Sequence, residues 1–190
     1  MDYDTWHDGI GTDLEALDEM SPEDRDKVVD ILRNFDDANS WRNLEALGHI
    51  NSSRARDAIK SALKHPSLQV RINASKFASG QDKDRERILI DALENAEIYG
   101  GLSQALDQIE TFHTEKVIDA LLRGLLSRNE EAVNFAGMLY FIFGKADSSF
   151  DWDNRPMYLK FNTDDRTEKE NAFVEFCNIL GVDSKKYLNR

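Results

Sequence analysis

The sequence holds a single cysteine, three prolines and ten glycines among 190 residues. One cysteine excludes an internal disulfide. Its setting, NAFVEFCNIL, reads Cys177 as a small buried apolar side chain on a helix. So few prolines and glycines leave too little turn chemistry for an all-β chain. Catalytic signatures are missing as well. There is no HExxH, no paired CxxC, no GxxxxGK phosphate loop and no GxSxG around a serine. His7, His49, His65 and His113 are scattered without metal-ligand spacing. The most apolar run, AGMLYFIFG, is far shorter than the ~20 residues of a membrane helix. The opening MDYDTWHDGIGTDLE is acidic where a signal peptide would be basic, so the expected compartment is the cytoplasm.

Positive charge is also scarce. The formal net charge is −12, distributed as −10 over residues 1–40, +5 over 41–80, −6 over 81–120 and −1 over 121–190. A nucleic-acid binder gains affinity by neutralising phosphates, so this balance counts against one. It suits a basic partner drawn in by electrostatic steering, or simply keeps the chain soluble.

What is present is helix-forming sequence with clear start and stop signals. SPED, from Ser21, places an N-cap serine, a first-turn proline and acids at a helix N-terminus. The segment that follows spaces Val28, Val29, Ile31, Leu32 and Phe35 on one broad face. SWRNLEALGHI carries Trp41, Leu44, Leu47 and Ile50, and RARDAIKSALKH carries Ala55, Ala58, Ile59, Ala62 and Leu63. Pro66-Ser67 breaks the pattern, and LQVRINASKFA resumes it with Leu68, Val70, Ala74 and Phe77. Two more pairs follow. Ile88, Leu89, Ala92 and Leu93 precede Ile98, Leu102, Ala105, Leu106 and Ile109; Val117, Ile118, Leu121, Leu122 and Leu125 precede Val133, Ala136, Leu139 and Phe143. Ala62-Leu63, Ala92-Leu93 and Leu121-Leu122 recur at a period near 30. Two helices per such period predict an all-α chain, a short α-solenoid of about four helix pairs. Gly100-Gly101 interrupts the third pair, so its second helix is expected to start late or kink.

After Gly144 the pattern changes. Asp147 to Phe161 reads as an extended loop, TDDRTE from Thr163 caps a last helix, and Gly181 ends it. That helix presents Ala172, Phe173, Phe176, Ile179 and Leu180 as its apolar set. Phe150, Trp152, Tyr158, Leu159 and Phe161 are suited to covering the apolar edge left by the last pair. Asp147, Asp151 and Asp153 superficially suggest a calcium loop. The central glycine is missing, however, and Tyr158 stands where the bidentate glutamate belongs. Acids that pair with Arg155 or cap backbone amides are the better reading. A single domain over 1–190 is expected: an acidic segment 1–20, repeats 21–143 and a capping unit 144–190.

The stretch LEALGHINSSRARDAIKSALKHPSLQVRINA (44–74) resembles a unit of the short HEAT repeat family. It has a helix closing on Leu-Gly, an Ala/Leu-rich first helix, a Pro-Ser break and a second helix opening with Val-Arg. SRNEEAV, from Ser127, repeats that inter-helix turn with Asn134 in place of the arginine. The resemblance implies a right-handed array with a non-repeat C-terminal cap. It also implies that second helices line a concave face, whose polar positions are Glu45, His49, Arg71, Gln104, Asp107, Gln108, Glu131 and Asn134. The N-terminal segment offers another contact surface through Tyr3, Trp6, Asp8, Asp13 and Glu15, aromatics beside carboxylates that suit either an interface or a cap on the first repeat. With its FDWD stretch from Phe150 and its closing ILGVD from Ile179, the chain resembles bacterial HEAT-repeat immunity proteins of polymorphic toxin systems. That resemblance implies a protein partner, a cognate toxin domain whose active site is occluded, with no enzymatic activity, no cofactor and no metal. HEAT-like enzymes, bilin lyases or less favourably DNA glycosylases, and a general protein-binding scaffold are the alternatives.

Overall fold

The computed structural model describes residues 13–37, 39–151 and 153–188, and every regular element among them is helical. None of these helices is long and apolar enough to cross a membrane. The chain forms two compact units, residues 1–88 and 89–190.

Four helices of the first unit begin where a side chain satisfies an otherwise orphaned backbone N–H. Asp13 accepts from the Ala16 amide at 3.0 Å and opens α1 (Leu14–Asp18). Ser21 accepts from the Asp24 amide at 3.2 Å and opens α2 (Pro22–Leu32), with the proline in the first turn. After α3 (Ser40–Ile50), Ser52 and Ser67 do the same for α4 (Ser53–Ala62) and α5 (Leu68–Phe77). α3 packs against both α4 and α5. The core here is Leu44, Leu47, Ala55, Ile59, Val70 and Ala74. A Cβ on Gly48 would stand 2.7 Å from the Phe77 ring, so only glycine lets α5 lie this close. The buried Asn73 amide donates to Ser40 Oγ at 2.9 Å and fixes the register of α5 on α3.

One expectation for this unit needs correcting. Only Val29 of the apolar set on α2 is buried, and Ile31 is 72% exposed. At about 100° per residue, Ile31 lies roughly 200° around the axis from Val29. The face is narrower than the run of apolar letters.

α6 (Asp82–Asn95) contains the division between the units and supplies Leu89, Ala92 and Leu93 to the second core. The interruption at Gly100-Gly101 falls where the glycines predict. Ile98–Gly100 makes one 3-10 turn, Gly101 takes φ +110°, and α7 (Leu102–Ile109) starts only afterwards. α8 (Glu115–Ser127), capped by Thr114, packs on α9 (Ala132–Ile142). α9 is covered almost all round: Phe135, Ala136, Met138, Leu139 and Tyr140 are buried, whereas Val133 and Phe143 are half-buried. A helix enclosed this fully shows little amphipathic period. The Arg128 side chain reaches back to the end of α6, donating to the carbonyls of Leu93 at 2.9 Å and Ala96 at 2.7 Å.

The segment from Asp147 to Phe161 is not an extended loop throughout. Arg155–Tyr158 forms a helical turn, α10, followed by a 3-10 turn at Leu159–Phe161. Pro156 sits in the first turn of α10, where a missing N–H costs nothing, and so starts a helix rather than stopping one. α11 (Arg166–Leu180) begins at the Asp165 cap and ends at Gly181, φ +73°. α12 (Lys185–Leu188) closes the described chain.

The capping expectation holds for part of its residues. Tyr158 and Phe161 are buried, and with Tyr140 and Phe176 they form an aromatic cluster with ring centroids 5.0–5.3 Å apart. Phe150 and Leu159 remain on the surface, as does Ile179 of α11; Trp152 lies outside the described residues. Cys177 is fully buried, and burial together with the Asp183 charge pushes its thiol up to about 12.

Candidate functional site

The polar positions expected on a concave face divide into those the fold uses and those it leaves available. In the first unit, Arg71 donates to the carbonyls of His65 and Pro66 at 2.9 and 2.8 Å, holding the turn before its own helix. His49 contacts Asp18 at 2.9 Å. Glu45 is half-buried on α3. In the second unit, Gln108 is buried, and Glu131 is only 9% exposed and pairs with Arg128 at 2.9 Å. Gln104 is half-buried and accepts from the Ser103 hydroxyl, and Asp107 is exposed. Of the N-terminal alternative, Tyr3, Trp6 and Asp8 lie outside the described residues. Asp13 serves as the α1 cap, with the exposed Glu15 in the first turn.

Asn134 belongs to a more specific arrangement that periodicity does not reveal. The segment 144–154 leaves α9 and is seated at two points. The Ser149 hydroxyl donates to the Glu110 carboxylate at the end of α7. The Ser149 carbonyl rests on α9, where a Cβ on Gly137 would lie 2.6 Å from its oxygen. Asp151 stiffens the next turn by accepting from the Asp153 amide at 3.0 Å and from the Asn154 side chain. The aspartate thus caps backbone, as the sequence suggested.

Two cavities result. The outer one is an open polar hollow of about 530 Å³ edged by Lys145, Asp147, Phe150, Asp151 and Asp153. Phe150 is 67% exposed at its rim, an aromatic ring among carboxylates. The inner one is a cleft of about 20 Å³ between α9 and this segment; Phe150 and Asp151 border both, and Asn134, Ser149, Arg155 and Tyr158 also line it.

Tyr158 is 3% exposed, and its hydroxyl has no hydrogen-bond partner among the described residues. A buried hydroxyl left unpaired costs about 1–3 kcal/mol, so it stands out among the described side chains of the second unit. Burial, then the charge of Asp151, then Tyr140 raise its pKa. It therefore stays protonated, able both to donate and to accept.

No family model matches the chain, and neither a curated protein nor a solved structure is significantly similar to it. The functional reading therefore rests on the chain's own residues.

A third polar cluster lies elsewhere in this unit. Asp119 on α8 receives Lys186 at 2.7 Å, the Tyr187 hydroxyl at 2.9 Å and Arg123 at 2.8 Å. Burial alone would raise its pKa, but the hydrogen bonds from Lys186 and Tyr187 and the nearby positive charges outweigh it and hold the carboxyl below its ordinary value. With Tyr187 also packed edge-on against Phe173 at 5.7 Å, this cluster anchors α12 and has no unsatisfied group left for chemistry. Among the described residues, no group of three or more histidine, cysteine or carboxylate side chains is placed to hold a metal ion.

Proposed function

We propose that this chain is an immunity protein that binds a cognate bacterial toxin domain in the cytoplasm and occludes its active site through an acidic surface. The observation that carries this reading is Phe150, an exposed aromatic ring at the rim of a hollow edged by Asp147, Asp151 and Asp153. A rigid aromatic anchor beside three carboxylates suits a protein partner with a basic face, where the ring supplies contact area and the carboxylates steer the approach. The net charge of −12 and the likeness of the FDWD segment to HEAT-repeat immunity proteins point the same way. In this reading the helices form a short right-handed α-solenoid of about four HEAT-like pairs, capped by residues 144–190. Asp107, Gln104 and Asn134 remain as contact residues; Arg71, Gln108 and Glu131 are occupied by the fold.

The test is co-expression with a toxin-domain reading frame adjacent in the genome. Rescue of growth and a complex that survives gel filtration are expected, with Phe150→Ala and Asp107→Lys each weakening the complex. Absence of both rescue and complex at micromolar concentration would sink the reading.

A further inference from the structure

We propose that the cavity lined by the C-terminal end of α6, by α8 and by α12 binds a small amphipathic monocarboxylate, its carboxylate held by Arg123 and Lys186 and its apolar body against Leu93, Ala120 and Tyr187. The site shares no residue with the partner-binding surface proposed above and stands or falls independently of it.

Shape comes first. The cavity has a volume of about 310 Å³, the size of a small-ligand site, and its lining lies wholly within the second unit. Much of that lining is apolar: Leu93 of α6 and Ala120 and Gly124 of α8 are buried, and half-buried Leu126 adds to them. Tyr187 contributes from α12, and its ring is fixed edge-on against Phe173 at 5.7 Å. A wall held in place before the ligand arrives lowers the ordering cost of binding.

Donor and acceptor balance comes second. Asp119 holds two cationic heads side by side: its Oδ1 accepts from Lys186 at 2.7 Å and its Oδ2 pairs with Arg123 at 2.8 Å. Tyr187 also donates to Oδ1, at 2.9 Å, so three of the roughly four acceptor positions of this carboxylate are taken. The Ser127 hydroxyl is spent on the Arg123 carbonyl at 3.1 Å. The cluster thus has no group left for catalysis, but its cations keep donors to spare. A guanidinium has five N–H donors and an ammonium three, more than Asp119 takes from either. Both side chains reach solvent, 44% exposed for Arg123 and 63% for Lys186. Glu94 borders the same cavity from α6 and is exposed. Its charge opposes any anion, and a dianion most, so the site suits one carboxylate better than a phosphate. A cationic head is served worse still: Glu94 is the one lining carboxylate with its acceptors open, beside two like charges.

The experiment titrates the full chain with n-hexanoate, followed by NMR at the Ala120 methyl, the Gly124 amide and the Tyr187 ring. Saturable shifts at all three are expected. Acetate, which lacks the tail, n-hexanol, which lacks the charge, and n-hexylammonium, which reverses it, should each bind at least about tenfold more weakly. Arg123→Gln and Lys186→Gln should each weaken hexanoate by about threefold or more, with Asp119 keeping two of its three partners in either variant. Glu94→Gln should tighten it. That change touches neither anchor of α12, so it decides the matter even where the other two variants loosen that helix. Hexanol or hexylammonium binding as tightly as hexanoate would show that the two cations take no part, and would overturn the proposal. So would the lack of any saturable shift, or an affinity that the Glu94 variant leaves unchanged.

Discussion

The Arg128 guanidinium donates to the Leu93 carbonyl across 35 residues of chain, closing the C-terminal end of α6 with a side chain from the α8–α9 turn. Helix C-termini leave carbonyls unsatisfied, and here one planar fork serves Leu93 and Ala96 while pairing with Glu131. Arg128→Ala is expected to cost about 3 kcal/mol in urea unfolding, since it strands Glu131 and two carbonyls together. Arg128→Lys should recover less than half of that, because an ammonium cannot span the same acceptors. A lysine variant as stable as the parent would show that charge, not fork geometry, matters.

Gly137→Ala should destabilise the protein by about 1–3 kcal/mol despite alanine's better helix propensity. The new methyl would meet the Ser149 carbonyl oxygen at 2.6 Å, and backbone yields less readily than a side chain. Amide shifts in an NMR spectrum should concentrate in 144–154. Shifts confined to α9 would show that the segment is not seated there.

Alkaline pH should weaken the fold. The Cys177 thiol is neutral when protonated, and burial moves its pKa from 9.0 to about 12. Its contribution is complete below pH 9 and lost as pH rises through 9 to 12, because the unfolded chain ionises first. Tyr140, Tyr158 and Tyr187 shift in the same direction and add to the loss above pH 10. Urea midpoints at pH 7 and pH 10.5 measure it, and Cys177→Ala should flatten the part between pH 9 and 10. A thiol reagent should modify Cys177 orders of magnitude faster in urea than in buffer.

Helices were legible in the sequence because their signals are local. Ser21 before Pro22, Asp165 before α11 and Gly181 after it mark real termini, and the apolar sets of α4, α6 and α8 are buried nearly as spaced. Failures occurred where packing overrides periodicity. Ile31 and Ile179 fit an apolar pattern yet face outward, and α9 has almost no polar face from which to read an orientation. Long-range relations were invisible. Nothing near Arg128 announces Leu93, and nothing near Asn134 announces Tyr158. Glu131 and Gln108 looked like surface residues because their letters are polar; only the packing shows them buried. Pro156 opens a helical turn inside the stretch expected to be an extended loop, since the same residue ends a helix or begins one depending on which turn it occupies.

The anchor at Asp119 also sets an order of events during synthesis. Asp119 is made long before Lys186 and Tyr187, 67 and 68 residues later, and until they emerge its carboxylate lacks two of its three partners. At about 5–20 residues per second, several seconds pass in which α8 waits with that cluster incomplete. The first unit suffers no such delay, because its own capping and core residues all precede residue 89. The nascent chain can therefore assemble one half while the other half is still being translated.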